Sequence, residues 1–343
     1  MSALPLFPVT TVGSWPRPPE LLRAQRLRRD GRLSQEEFDR LADQAVLDVL
    51  RLQTEAGVDI VNDGEQRRDN FYSFVAEKLS GVKLMTLLEI LDIVEDKAGF
   101  ERILQTLDVP AYSISNPTCV GKIERRHPLA LGELKFLKRH TDKPVKIPLP
   151  GPYLLTWAMY VQMVTREFYP TKEDLAEDAV RVLREELIDL AQAGADFVQL
   201  DEPVLSELVF TQGQTRTFMC AALAARKDPA EELEFAVSLI NRVVDGVEGI
   251  RTGLHICRGN WSQNESTLLR GSYDPLIPYL DRLKVQQLVL EYATGRAGDL
   301  VPFQDKELGL GVVNPRTETI ESTDQIKRSV YHALKLYPRT NCS

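Results

Sequence analysis

The chain is poor in both residues that usually anchor metals and disulfides, with four cysteines and four histidines in 343 residues. Four widely spread thiols, Cys119, Cys220, Cys257 and Cys342, exclude the dense cystine framework of a small secreted domain. They imply free thiols or metal thiolates in a reducing, cytoplasmic compartment. No apolar run reaches the roughly 20 residues that a membrane-spanning helix needs. The opening MSALPLFPVTTVGSW has no basic stretch ahead of its apolar part, as a secretory leader would. The net charge is -8 and no long Lys/Arg block occurs, so the electrostatic footprint of a nucleic-acid binder is missing. GxGxxG and Gly-Lys-Ser/Thr are also absent, which removes the phosphate-cradling loops expected of a doubly wound nucleotide-binding sheet.

What is present is a repeated order of strand, loop and helix. Hydrophobic residues make up 43% of the chain, enough for a large core, and a single domain over 1–343 is expected. SQEEFDRLADQAVLDVLRLQTEAG reads as a helix: Ser34 and Glu37 have capping-box spacing, Leu41, Ala45, Val49 and Leu52 form an apolar face, and Gly57 stops it. VDIVNDGE follows as a strand with acids at its end. TKEDLAEDAVRVLREELIDLAQAGA and DFVQLDEP repeat the same form, helix, then Ala-Gly, then a strand ending in acids. Such crossovers join parallel strands. Eight strands, around residues 10, 60, 120, 147, 198, 254, 288 and 311, predict an α/β fold of the (β/α)8 TIM-barrel type. The segment 72–127 reads as an excursion carrying a short strand around Cys119–Ile123.

In such a barrel the chemistry lies at the C-terminal strand ends. Reading those ends picks out Ser14, Asp63, Glu65, Asp201, Glu202, His255, Cys257, Glu291 and Asn314. His255 and Cys257, in GLHICRGN, have period-two spacing, so both side chains fall on one face of a strand. A thiolate and an imidazole so placed suit a zinc ion. A buried structural pair and a Cys–His nucleophile pair stand beside that reading. Glu291 ends the apolar run VQQLVLE, and burying it demands a partner, either a shared metal or an arginine such as Arg296. Cys342 is a fourth candidate ligand, or an exposed thiol. One imidazole, two thiolates and a carboxylate would more than neutralise the ion, which favours holding an incoming thiolate over hydrolysis.

Asp201 and Glu202 are adjacent on a strand and face opposite sides, which argues against a paired-carboxylate glycosidase dyad. Glu65 and Asp201 suit a cationic group such as an amino-acid ammonium, or salt bridges to Arg67 or Arg68. Gly13 and Ser14 offer an N–H and a hydroxyl to a carboxylate, or form a plain turn. Trp157, in GPYLLTW, offers a flat wall for a planar ligand, or is core.

TTVGSWPR, VNDGE, GPYLLTW, VQLDEP and HIC followed by a strand-end Glu occur in that order along nearly the whole chain. Together they resemble the C-terminal catalytic barrel of the cobalamin-independent methionine synthase family. The resemblance implies methyl transfer to homocysteine. It implies a zinc ion on His255, Cys257, Glu291 and Cys342, with Glu291 loosened when the thiol arrives. It also implies that Glu65 and Asp201 take the ammonium, and that Gly13 and Ser14 take the carboxylate. Two departures shape the expectation. The family's full-length enzyme has two barrels, the first of which helps to hold folate, so a methylated corrinoid on a partner protein becomes the expected donor here, ahead of methyl-folate. The family's last ligand sits in NPDCG, where this chain reads RTNCS. Zinc-dependent epoxide or alkyl transfer to a thiol such as coenzyme M, a uroporphyrinogen decarboxylase-like barrel and a non-catalytic barrel are the alternative readings.

Overall fold

A computed structural model describes residues 4–94, 97–104, 115–210, 228–259 and 268–337. The strands are numbered in chain order: β1 Leu79–Thr86, β2 Ser115–Arg125, β3 Lys146–Pro150, β4 Phe197–Asp201, β5 Arg251–Ile256, β6 Gln287–Glu291 and β7 Glu307–Gly311. Strands β3 to β7 form one parallel sheet in sequence order. Parallel bridges Thr10–Ile60 and Val61–Val145 extend the same order toward the N-terminus. This is the α/β barrel architecture expected, with seven parallel positions among the described residues. The predicted eighth, around Cys119, is a correction: β2 pairs antiparallel with β1 in a separate two-stranded sheet.

The crossover helices carry the patterns that the sequence predicts. Gln35–Glu55 opens on a full capping box between Ser34 and Glu37, and Lys172–Gln192 on one between Thr171 and Asp174. Each box satisfies end N–H groups that would otherwise lack partners. The helix Lys172–Gln192 buries Leu175, Ala179, Val182, Leu183, Leu187 and Leu190. Those residues join Ile147, Leu149, Val198, Leu200, Leu254, Ile256, Leu288 and Leu290 of the sheet in one continuous core.

The β1–β2 hairpin is tied to the outer helices by buried polar contacts. Asn116 Nδ2 donates to the Ala158 carbonyl at 2.6 Å, and the Ile123 N–H donates to the Tyr169 hydroxyl at 2.8 Å. Arg125 donates to Glu186, which also accepts the N–H groups of Leu129, Ala130 and Leu131 at 2.6, 2.7 and 3.0 Å. One buried carboxylate thus fixes the end of the hairpin and caps the following helix, Leu131–His140. No helix among the described residues is long and apolar enough to cross a membrane.

Candidate active site

The polar strand ends converge as the alternation rule requires. Asp201 stands opposite His255 in the β4–β5 register, and Asp201 Oδ1 lies 2.8 Å from His255 Nδ1. Gln199, two residues earlier on the same face, donates to the same Oδ1 at 2.7 Å. Glu202 points the other way. Its two oxygens accept the Tyr153 and Leu154 N–H groups at 2.8 and 2.9 Å, capping the helix Pro152–Met159. A Cβ on Gly151 would lie 2.1 Å from that carboxylate, so a side chain there would have to displace it. Burial raises Glu202 to about 8 despite both donors. Adjacent acids therefore split into one that faces the site and one that builds the scaffold.

A tight turn sets the second acid. Gly64 and Glu65 both have positive φ, 64° and 55°, and for a glutamate that conformation costs energy. The turn is held by Asn62 Oδ1 accepting Gly64 N–H and Asp63 Oδ1 accepting Glu65 N–H, both at 2.9 Å, and by Trp15 N–H donating to the Gly64 carbonyl at 3.0 Å. It turns the Glu65 carboxylate to Ser14, whose hydroxyl donates at 2.6 Å. Burial raises the Glu65 pKa, Arg68 opposes the rise, and Asp201 adds to it. That ordering places the two site acids within electrostatic reach of each other. The hydrogen bonds to the two acids fall on Glu65 Oε2 and Asp201 Oδ1 among the described residues. Gly13, at positive φ, and Ser14 are exposed beside them.

Arg67 and Arg68 form their ion pairs elsewhere. Arg67 pairs with Asp43, and Arg68 forms a buried two-point pair with Glu133. Two polar side chains that sequence reasoning missed lie beneath the acids. Lys146 Nζ donates to the Thr11 carbonyl at 2.6 Å and to Gln199 Oε1 at 3.3 Å. Burial lowers its ammonium to about 8, and Asp201 and Glu65 pull it back up. The available signal was one polar residue inside each apolar strand, with Gln199 at period two from Asp201.

Asp63 is buried with Oδ2 unpartnered. Burial, then Glu133, raises it from 3.8 to about 7. Because the folded pKa exceeds the unfolded one, its contribution to stability is full below pH 3.8 and is lost as pH rises through 7. The loss integrates to about 4 kcal/mol. Asp63→Asn is expected to flatten that fall, gaining stability over the parent at pH 8 but not at pH 4, as read by urea unfolding. Parallel pH profiles for parent and variant would contradict this.

Cys257 follows β5 directly, and Glu291 ends β6, with Ile256 and Leu290 in register just before them. Burial pushes the Cys257 thiol up to about 12, and Glu291 and Asp201 push the same way. Without a nearby cation it is a neutral thiol. Glu291 Oε1 pairs with Arg296 Nη2 at 2.6 Å, the arginine partner that the sequence offered as an alternative to a metal. The donor types suit zinc: an imidazole, a thiol and a carboxylate on neighbouring strand ends. The His255 Nδ1–Asp201 pair is the outer contact that commonly orients a metal-bound imidazole by its other nitrogen. Among the described residues no three donors are gathered on one point, and Cys342 lies outside those residues.

Trp157 is placed in the helix layer. Lys172 Nζ sits 3.8 Å from its ring centroid, and Tyr153 meets it edge-on.

Comparison with known proteins identifies the family. Residues 7–342 match the family model described as cobalamin-independent synthase, catalytic domain. A methionine synthase of Pyrococcus furiosus is 32% identical over 340 residues, spanning 97% of this chain and 83% of that protein. One of Sulfolobus acidocaldarius is 30% identical over 335 residues, spanning 97% of this chain and 82% of that protein. Among solved structures, the B12-independent methionine synthase of Shewanella sp. W3-18-1, in complex with selenomethionine, superposes with a TM-score of 0.71 at 24% identity. That alignment covers 98% of this chain and 89% of that one, and the likeness is one of fold. A family defined as cobalamin-independent gives the expected corrinoid partner no support. The uroporphyrinogen decarboxylase-like reading falls with it, because the chain belongs to the cobalamin-independent methionine synthase catalytic-domain family.

Proposed function

We propose that the chain transfers a methyl group from a methyl-folate to the thiol of homocysteine, giving methionine, with zinc held by His255, Cys257, Glu291 and Cys342. The observation that carries this reading is the Asp201–His255 contact between neighbouring strand ends, 2.8 Å long. It fixes His255 by Nδ1 and leaves Nε2 as the ligating nitrogen, two residues from Cys257. When bound, zinc supplies the charge that keeps a substrate thiol deprotonated at neutral pH.

The remaining work belongs to the chain's own side chains. Glu65 and Asp201 take the ammonium of the amino acid, each through the oxygen that Ser14 or His255 does not contact. Gly13 and Ser14, exposed at the mouth, meet the carboxylate. Held at both ends, the substrate presents its sulfur in one direction, which converts a bimolecular encounter into an oriented one. The S–CH3 bond forms as the bond from the methyl to the folate nitrogen breaks, and that nitrogen takes up a proton. The same two acids would repel a sulfonate, which disfavours coenzyme M as the acceptor.

The ammonium role is tested at Glu65, because Asp201 also carries His255. Glu65→Gln should weaken homocysteine by roughly 10-fold or more, the scale of a lost charge-assisted hydrogen bond. It should weaken 4-mercaptobutanoate, which lacks the amine, far less. Equal losses for the two thiols would remove this role.

A further inference from the structure

We propose that Arg296 is a latch for the Glu291 carboxylate, a positioning residue that competes for it with a metal on the His255–Cys257 pair and so sets how readily a substrate thiol takes its place. The inference rests on the zinc reading above and names what controls the one ligand of that set that must give way.

Both Glu291 oxygens are engaged by the protein itself. Oε1 accepts Arg296 Nη2 at 2.6 Å and the Thr294 hydroxyl at 3.4 Å, and Oε2 accepts the Arg258 backbone N–H at 3.1 Å. The Arg296 side chain is only 2% exposed, so this is a desolvated ion pair rather than a loose surface contact. Its guanidinium is itself held in place. Nη1 donates to the Gly259 carbonyl at 3.3 Å and Nε to the Thr294 hydroxyl at 3.4 Å. The short 3-10 turn Gly295–Ala297 brings it back over the end of β6. The other described donors lack such a competitor: His255 is oriented by an acid, and the Cys257 thiol is flanked by acids.

A carboxylate in this setting serves a cation only by giving up a buried arginine. Whenever it lets the cation go, the arginine receives it again, so no buried charge is left unpaired. Glu291 is thereby a weak ligand by construction, beside two strong ones.

The test uses Arg296→Met and Arg296→Lys with the parent, each also combined with Glu291→Gln. Zinc affinity is read by chelator competition. Homocysteine binding is read from the visible absorption of the Co2+-loaded proteins. Arg296→Met should bind zinc on the order of tenfold more tightly and homocysteine weaker by a similar factor, because the carboxylate loses its charged competitor and keeps only the weaker Thr294 and Arg258 N–H contacts. Arg296→Lys should stay close to the parent. In the Glu291→Gln background Arg296→Met should change neither quantity, as a purely pairwise effect requires. Should the Met variant not fold, Arg296→Gln takes its place, since it keeps an N–H donor for the buried carbonyl. Zinc and homocysteine affinities unchanged by losing the arginine, in a parent that binds zinc, would overturn the latch alone. The same holds for an effect that survives Glu291→Gln. A parent that binds no zinc would overturn the zinc reading and the latch together.

Discussion

Cys257→Ser is expected to empty the metal site and end methyl transfer. Losing a side chain that merely orients a ligand costs about 10–100-fold in metal affinity, and a thiolate bonded to the metal contributes more than its support does. Zinc affinity should therefore fall at least ~100-fold, and methionine formation should drop to background. The thiol environment explains why serine cannot substitute. Cys257 is pushed up to about 12 by burial beside Glu291 and Asp201, so only a strongly bound cation makes it an anion, and a hydroxyl is harder still to ionise. Cys119 is the matched control. It is the other free thiol among the described residues, buried in the β1–β2 hairpin, where its Sγ donates to the Gly121 carbonyl. Cys119→Ser should leave zinc content unchanged. Zinc retained at one per chain in Cys257→Ser, with turnover intact, would remove the site.

The second large effect falls on folding rather than chemistry. Glu186→Ala removes an anion that is fully buried and that accepts three backbone N–H groups and the Arg125 guanidinium. Deleting one member of such a group leaves the others desolvated and without partners. The expected loss is about 3–5 kcal/mol of stability. Arg125 keeps Asp189 at 2.7 Å, which holds the loss toward the lower end. Urea unfolding of the zinc-free protein measures it without interference from metal binding. A change below about 1 kcal/mol, the level of an exposed pair, would show that the hairpin and the helix Leu131–His140 do not depend on this carboxylate.

Much of the barrel was legible because its strands are short apolar runs that end abruptly in acids or in His and Cys. The ends supplied Glu65, Asp201, His255 and Glu291, and strand alternation alone separated Asp201 from Glu202. The hairpin was harder to read. β2 spans Ser115–Arg125 and contains Asn116–Pro117 and Gly121, which read as strand breakers. Antiparallel pairing with β1 overrides that local preference. Lys146 and Gln199 were missed because each is a lone polar residue in an apolar run, and only the barrel interior brings them together under Asp201.

The central claim, zinc-dependent methyl transfer from folate to homocysteine, is tested most directly by one assay. Zinc-loaded protein is incubated with homocysteine and methyltetrahydrofolate, with methylcobalamin as the comparison donor, and methionine is followed with time. The account predicts methionine from the folate donor, dependent on zinc, and none above background from methylcobalamin. No methionine from folate by protein carrying one zinc per chain, or turnover with methylcobalamin in its place, would contradict it.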